Sequence, residues 1–311
     1  MKFGIRIPND GPLVSADNLR TLATTAEGLG YDSVLVHDHV LVPDSSWNPF
    51  FDPLVTLSYL AAATESVKLG TSVLLLPLRN PVILAKQIAT LDQISNGRVL
   101  LGVGVGYLKD EFETMDVPFG RRGKITDEYL TVLKELWTKP KTTFQGKFIK
   151  LRNVESYPKP IQKPHPPIWI GGSSEAATIR AVKFGNGRHA LMGPDAVRKE
   201  VERLNRKAII LGRDVSKLEI ATEPWVSIEQ NVNEAVKKAY ASPLVKQRWP
   251  NPDDFARANL IGSYDEISSR VAAFREAGST YMQLRFVSER VSLSETLKMM
   301  KQFAEWIPKL T

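Results

Sequence analysis

"KLGTSVLLLPLRNPVILAKQIATLDQISNGRVLLGVGVG", residues 68–106, decides the fold. Lys68 to Leu76 reads as a strand and stops at Pro77. Pro81 then stands where a first helical turn tolerates a residue without an N–H, and that helix runs to about Ile94. Asn96-Gly97 turns the chain into another strand, Arg98 to Val105. Strand, helix, turn and strand make one βαβ unit, whose crossover is right-handed and whose strands are parallel.

The same alternation extends in both directions. Upstream lie a strand at Phe3–Pro8, a helix at Asp17–Leu29 closed by Gly30, a strand at Ser33–Val36 and a helix at Pro53–Thr64. Downstream, a helix from Gly123 to Trp137 leads to a small hairpin over Phe144–Asn153. An extended proline-rich segment, "YPKPIQKPHPP", follows and cannot be helical. Strands are then expected at Ile168–Ile170, Arg188–Met192, Leu218–Ile228 and Tyr281–Val287. Their helices fall at Glu175–Phe184, Asp195–Leu211, Asp265–Ala277 and Leu293–Trp306, with an inserted helix at Glu229–Ala241. Eight strands, each followed by a helix, close a parallel barrel. The expected fold class is therefore α/β, a (β/α)8 TIM barrel with insertions, in one domain over residues 1–311. A doubly wound sheet is the competing arrangement.

The chain has 311 residues, 43% of them apolar, enough for a large core. No apolar run reaches the roughly 18 residues that a membrane span needs. The N-terminus enters a strand pattern without a signal-peptide h-region. With no cysteine there is no disulfide, thiolate nucleophile or cysteine-ligated metal. A cytoplasmic location fits. The net charge of +7 comes from 41 basic and 34 acidic residues scattered along helices. No basic block is interleaved with aromatics, so neither nucleic acid nor membrane is an expected partner.

Chemistry in such a barrel sits at the C-terminal strand ends. Strand two ends in His37-Asp38-His39, and alternation puts Asp38 opposite both histidines. Strand three carries Thr71-Ser72-Val73. Strand four ends in "GVGVGYLKDEFE". "GVGVG" is a poor dinucleotide fingerprint, lying at the wrong strand and lacking the third glycine. Strand five runs into Gly171-Gly172-Ser173-Ser174 and a helix. That turn can hold an anion at a helix N-terminus, or can be a plain serine-capped glycine turn. Strand six holds His189. His37-x-His39 could begin a metal site, but only His165 and His189 remain to complete it among histidines. Acid/base work, ligand contact and satisfied polar strand ends all stay open for these groups.

Residues 69–107 closely resemble the luciferase-like flavin and deazaflavin oxidoreductases. The "DH" after strand two, Glu111-Phe112, "PKPIQKPHPPIWIGGSS" and the following "GNG" share that resemblance. "GTSVLLLPLRNP" looks most like the branch that uses coenzyme F420 rather than FMN. The resemblance implies a non-prolyl cis peptide at Ser72-Val73, forming a bulge that backs the ring of the cofactor. It implies a tail phosphate at Gly171, Gly172, Ser173 and Ser174. Further cofactor contacts would come from His39, Val105, Gly106, Asp110 and His189. His39 would be the acid or base, with Asp38 its acidic partner, and no metal is implied.

Two departures stand out. Sugar and alcohol dehydrogenases of the family carry glutamate where this chain has Tyr107, a poor base at neutral pH but a possible proton donor or pocket wall. Many members have Asp and Trp in place of Asn186 and Arg188. Arg188 is expected either to meet an anionic tail or to sit on the surface. The leading expectation is an F420-dependent oxidoreductase, acting on a small molecule and forming a homodimer. The alternatives are an FMN-dependent monooxygenase, a metal-dependent barrel hydrolase, and a barrel that binds flavin without turnover. Specificity is expected from "PDSSWNPFF" and "SPLVKQRWPNPDD", where Trp47, Phe50, Phe51 and Trp249 suit an apolar wall.

Overall fold

The computed structural model describes residues 1–41, 49–190, 193–288 and 291–310. Trp47, most of "PDSSWNPFF" and Met192, at the end of the expected sixth strand, lie outside them. The chain runs β1 (Lys2–Arg6), α1 (Ala16–Gly28), β2 (Ser33–Val36), α2 (Pro53–Ala63), β3 (Lys68–Thr71), β4 (Leu74–Leu75), α3 (Pro81–Ile94) and β5 (Val99–Gly104). It continues through α4 (Lys109–Thr114), α5 (Arg122–Thr138), the hairpin β6 (Thr142–Gln145) and β7 (Lys150–Val154), then β8 (Ile168–Ile170), α6 (Glu175–Phe184), β9 (Gly187–Ala190) and α7 (Pro194–Leu211). Last come β10 (Glu219–Thr222), β11 (Trp225–Ile228), α8 (Val232–Ala239), α9 (Pro243–Arg248), α10 (Pro252–Ala258), β12 (Leu260–Gly262), α11 (Tyr264–Glu276), β13 (Tyr281–Phe286) and α12 (Leu293–Leu310).

β1, β2, β3, β5, β8, β9, β10 and β13 pair in that order, all parallel, and β1 pairs back onto β13 with Phe3 opposite Met282. The expected (β/α)8 barrel is thus closed, and the doubly wound alternative is excluded. Side-chain alternation divides the core. Val34, Val36, Leu69 and Leu101 face the helices in the main cluster. Leu35, Leu100, Trp169, Ala221 and Tyr281 form a separate cluster. These are the alternate strand positions, which fill the barrel interior. The helices start where their sequences cap them. Asp52 accepts from the amides of Leu54 and Val55, Asn80 precedes Pro81, and Ser263 with Glu266 forms a capping box on α11.

Two expected strands are broken. The third is interrupted at Ser72-Val73, which is the cis peptide implied by the family resemblance. The seventh breaks at Glu223-Pro224, because a proline has no N–H for the ladder. After that break, β11 pairs with β13 and with β12, a short strand that the sequence reading missed. The sequence reading likewise assigned no element to α9 and α10, which begin within "SPLVKQRWPNPDD".

The break at Val73 explains the glycines of "GVGVG". A Cβ on Gly104 would stand 2.6 Å from the Val73 Cγ2, and one on Gly171 would stand 2.9 Å from its Cγ1. Val73 therefore occupies the room that side chains on β5 and on the turn after β8 would need. We expect Gly104→Ala to destabilise the fold by about 1–3 kcal/mol through overpacking. Urea unfolding measures this. A variant of unchanged midpoint would mean that Val73 yields freely.

Candidate active site

The polar residues of the strand ends fall into three groups. The first lies outside the barrel wall. Asp38 Oδ2 accepts from the Leu75 amide at 2.9 Å and from Arg79 Nε at 3.0 Å, and its Oδ1 accepts from Arg79 Nη2 at 2.6 Å. Arg79 also reaches Asp52, the cap of α2, at 3.0 Å. Asp38 is thus a buried strut between strand two, β4 and α2. Alternation placed it correctly, opposite the histidines.

The second group holds His39 at the mouth. Its Nδ1 lies 3.0 Å from Glu111 Oε2. Glu111 Oε1 accepts from the amides of Val40 at 2.8 Å and Leu41 at 3.2 Å. The acid that meets His39 is therefore Glu111, not the neighbouring Asp38. A carboxylate on Nδ1 fixes the proton there and leaves Nε2 as the acceptor. The His39 ring is walled edge-on by Phe50, at 5.8 Å, and by Tyr107, at 5.6 Å. Tyr107 is exposed at this wall, and partial burial raises its phenol pKa, so at neutral pH it is a proton donor only.

The third group is a buried polar layer across the inside of the barrel. Ser72 Oγ donates to Glu223 Oε2 at 2.6 Å and lies 2.8 Å from His189 Nε2. Arg6 Nε approaches Glu223 Oε1 at 3.9 Å, and its Nη2 reaches Asp10 Oδ1 at 3.5 Å. His37 Nε2 lies 2.7 Å from the same Asp10 oxygen, and the His37 ring stacks on Phe50 at 5.0 Å. Burial, followed by the charges of Arg6 and Arg285, pushes the His37 pKa well down, so this imidazole is neutral. Burial alone would raise the Glu223 pKa. The His189 hydrogen bond and the charges of Arg6, His189 and Arg285 outweigh it and hold the carboxyl at about 2.

At the rim, Gly172, Ser173 and Ser174 are exposed at the start of α6, where Ser174 Oγ caps the Ala177 amide. Gly172 has φ +103, a left-handed value that suits glycine. The Gly106 carbonyl accepts from Arg122 Nε at 3.2 Å. Val105 is half-buried beside it, while Asp110 is exposed on α4. A planar, phosphate-tailed cofactor fits these residues. The exposed turn offers amides to an anion, Val73 fills the barrel wall between that turn and β5, and His189 Nδ1 is buried with no hydrogen-bond partner among the described residues.

Arg188 does neither of the things expected of it. It is buried and bonded to Glu200, so it is neither a surface arginine nor open to a ligand. His165 lies apart, against Trp137. Among the described residues no group of three or more His, Cys, Asp or Glu is placed to hold a metal, and no helix is long and apolar enough to cross a membrane. Of the expected residues, the structure sets His39 beside Tyr107, Ser72 beside His189, and Val73 against Gly171 of the glycine-serine turn. The sequence reading missed Arg6, Asp10 and Glu223. The available signals were a charged residue at an inward position of a buried strand and a carboxylate directly before Pro224.

Residues 1–281 match the family described as luciferase-like monooxygenase. An uncharacterised Mycobacterium tuberculosis protein is 40% identical over 132 residues, and that match spans 42% of this chain and 46% of the relative, under half its length. An FMNH(2)-dependent dimethylsulfone monooxygenase of Pseudomonas putida is 28% identical, over 89% of this chain and 88% of its own. Among solved structures, a monooxygenase from Streptomyces bottropensis superposes with a TM-score of 0.87 at 26% identity, covering 100% of both chains. An F420-dependent secondary alcohol dehydrogenase in complex with an F420–acetone adduct superposes with a TM-score of 0.85. At 22% identity over 100% of this chain and 99% of that one, it shows likeness of fold.

The depressed Glu223 pKa yields a pH dependence. Its stabilisation is complete above the ordinary carboxyl value of 4.5 and is lost as pH falls through about 2. The shift corresponds to on the order of 3 kcal/mol. We expect the stability difference between wild type and Glu223→Gln, followed by urea unfolding from pH 6 downward, to shrink across that window. A difference that stays flat to pH 2.5 contradicts the assignment.

Proposed function

The chain belongs to the luciferase-like monooxygenase family, and from that premise we propose a coenzyme F420-dependent oxidoreductase that passes hydride between the deazaflavin and a small organic substrate. The observation that carries this reading is His39. Its Nδ1 is tied to buried Glu111, so its Nε2 is the proton acceptor at the barrel mouth. When bound, F420 supplies a two-electron hydride site. The protein's part is to hold the ring, exclude water and handle the proton. Oxidation of a hydroxyl-bearing carbon releases a hydride and a proton together. His39 Nε2 takes that proton, and returns it in the reverse direction. The exposed phenol of Tyr107 walls the same pocket.

A second reading is an FMN-dependent monooxygenase. It is favoured by the dimethylsulfone monooxygenase relative, whose match extends over 89% of this chain. Both readings place the tail at Gly171–Ser174 and the ring beside Val73. Titration with F420 and with reduced FMN separates them. The first reading requires F420 binding and substrate-dependent bleaching of its absorbance. Binding of reduced FMN alone, with oxygen consumption, supports the second. In the first case His39→Ala should lower turnover by at least about a hundredfold, with F420 affinity little changed. Equal losses in both would remove His39 from the proton role.

We also propose a homodimer. Val55 on α2 and Ile83 and Ile94 on α3 are large apolar side chains left exposed on adjacent helices. Light scattering should give twice the chain mass, and Val55→Asp with Ile83→Asp should give the single mass. A wild-type chain that elutes as a monomer at micromolar concentration removes this proposal.

A further inference from the structure

Arg188 is an arginine buried to about 1% exposure. Its guanidinium makes four hydrogen bonds. Nε bonds Glu200 Oε1 at 2.8 Å, Nη1 bonds the carbonyls of Ile170 and His189, each at 3.0 Å, and Nη2 bonds the carbonyl of Gly172. Glu200, on α7, also accepts from Thr178 Oγ1 on α6 at 2.7 Å. Arg188 and Glu200 together thus tie β8, β9, α6, α7 and the turn between β8 and α6.

The consequence lies in peptide geometry. In a trans peptide the C=O of one residue and the N–H of the next point in opposite directions. The Ile170 carbonyl is turned toward Arg188, and the Gly171 amide points away from it, to the Val103 carbonyl at 2.8 Å. The Gly172 carbonyl is turned inward in the same way, so the Ser173 amide points outward. Ser173 is exposed, and its amide has no acceptor among the described residues. The adjoining α6 contributes the positive end of its dipole to the same spot.

We infer that Arg188, backed by Glu200, is a positioning residue for the cofactor's phosphate. It does not touch the anion but pins two carbonyls so that the Ser173 amide is presented to it. This rests on the flavin or deazaflavin reading above. Arginine is suited to the task because its planar fork reaches several carbonyls at once, whereas lysine offers one point charge. The charge of Arg188 is offset by Glu200, so the effect acts through geometry and is distinct from simple attraction.

The test compares ligands with and without the phosphate, by fluorescence or absorbance titration in the absence of turnover. FMN is paired with riboflavin, and F420 with its ring-ribityl fragment. The wild type should prefer the phosphorylated member of whichever pair it binds. Arg188→Met should reduce that preference about tenfold, the cost of a lost charge-assisted hydrogen bond, while affinity for the unphosphorylated member stays the same. Arg188→Lys should lose nearly as much, although it keeps the charge. Where the methionine variant fails to fold by circular dichroism, Glu200→Gln serves in its place, with a smaller loss of the same kind. A wild type that binds none of the four ligands overturns the flavin reading and this inference with it. A wild type with the preference, and variants that keep it or lose both affinities equally, overturns this inference alone. Full rescue by lysine also overturns it, since charge would then suffice.

Discussion

Arg6, Asp10, Glu223 and Arg285 are all taken out of water at the open end of the barrel. An isolated buried charge costs several kcal/mol even after relaxation. Two cations and two anions can stay there only together. Arg6 stands between Glu223 and Asp10 and contacts both. The mouth is built on that pairing. Ser72 is held by Glu223, so the following residue, Val73, is delivered to the hollow left by Gly104 and Gly171. His37 is held by Asp10 and its ring is covered by Phe50. In the interior below, Leu35, Leu100 and Trp169 pack together, with buried Ser33 and Gln283 hydrogen-bonded to each other. Side chains at the mouth consequently meet a polar floor whose hydrogen bonds are nearly all taken.

Strand two shows how one short polar run is sorted by the pleat. His37 turns inward to Asp10, Asp38 turns outward to Arg79, and His39 stands at the rim against Glu111. Each acid of the neighbourhood has a separate task. Asp38 anchors β4 and, through Arg79, the cap of α2. Glu111 gathers two amides and one imidazole, which fixes the loop and the His39 tautomer at once.

The architecture was legible because hydrophobic period, proline starts and glycine stops agree along the chain. Pro81, Asn96-Gly97 and Gly278 fall where helices begin, turns form and helices end. What was illegible depends on contacts between distant strands. Arg6 sits between Ile5 and Ile7 in a run that reads as pure core, and only closure of the barrel shows that its side chain points at Glu223, over two hundred residues away. Asp38 was legible as facing away from the histidines, but its partner Arg79 lies beyond a strand break and was not. β12 is three residues long, too short for any period to register. Arg188 was noticed as unusual, yet its surroundings come from α7 and the turn after β8, so the sequence suggested surface or ligand where the fold provides a buried brace.

The site also bears on which chemistry the barrel suits. A deazaflavin carbon cannot form the peroxide that oxygenation needs, whereas FMN can, so the protein must handle protons for the first and oxygen for the second. The tail turn proposed for the phosphate does not distinguish them, since F420 and FMN both carry one. The mouth is more informative. It presents one imidazole held by Glu111 and walled by the exposed Tyr107. Burial raises the phenol's pKa further from neutrality, so Tyr107 takes no proton there. His37 is occupied with Asp10 and Arg6. Proton acceptance at the mouth is thereby concentrated on His39 Nε2. A reaction that releases one hydride and one proton needs one acceptor for each. The tethered His39 imidazole meets that requirement, which is the ground on which hydride exchange is proposed here ahead of oxygenation.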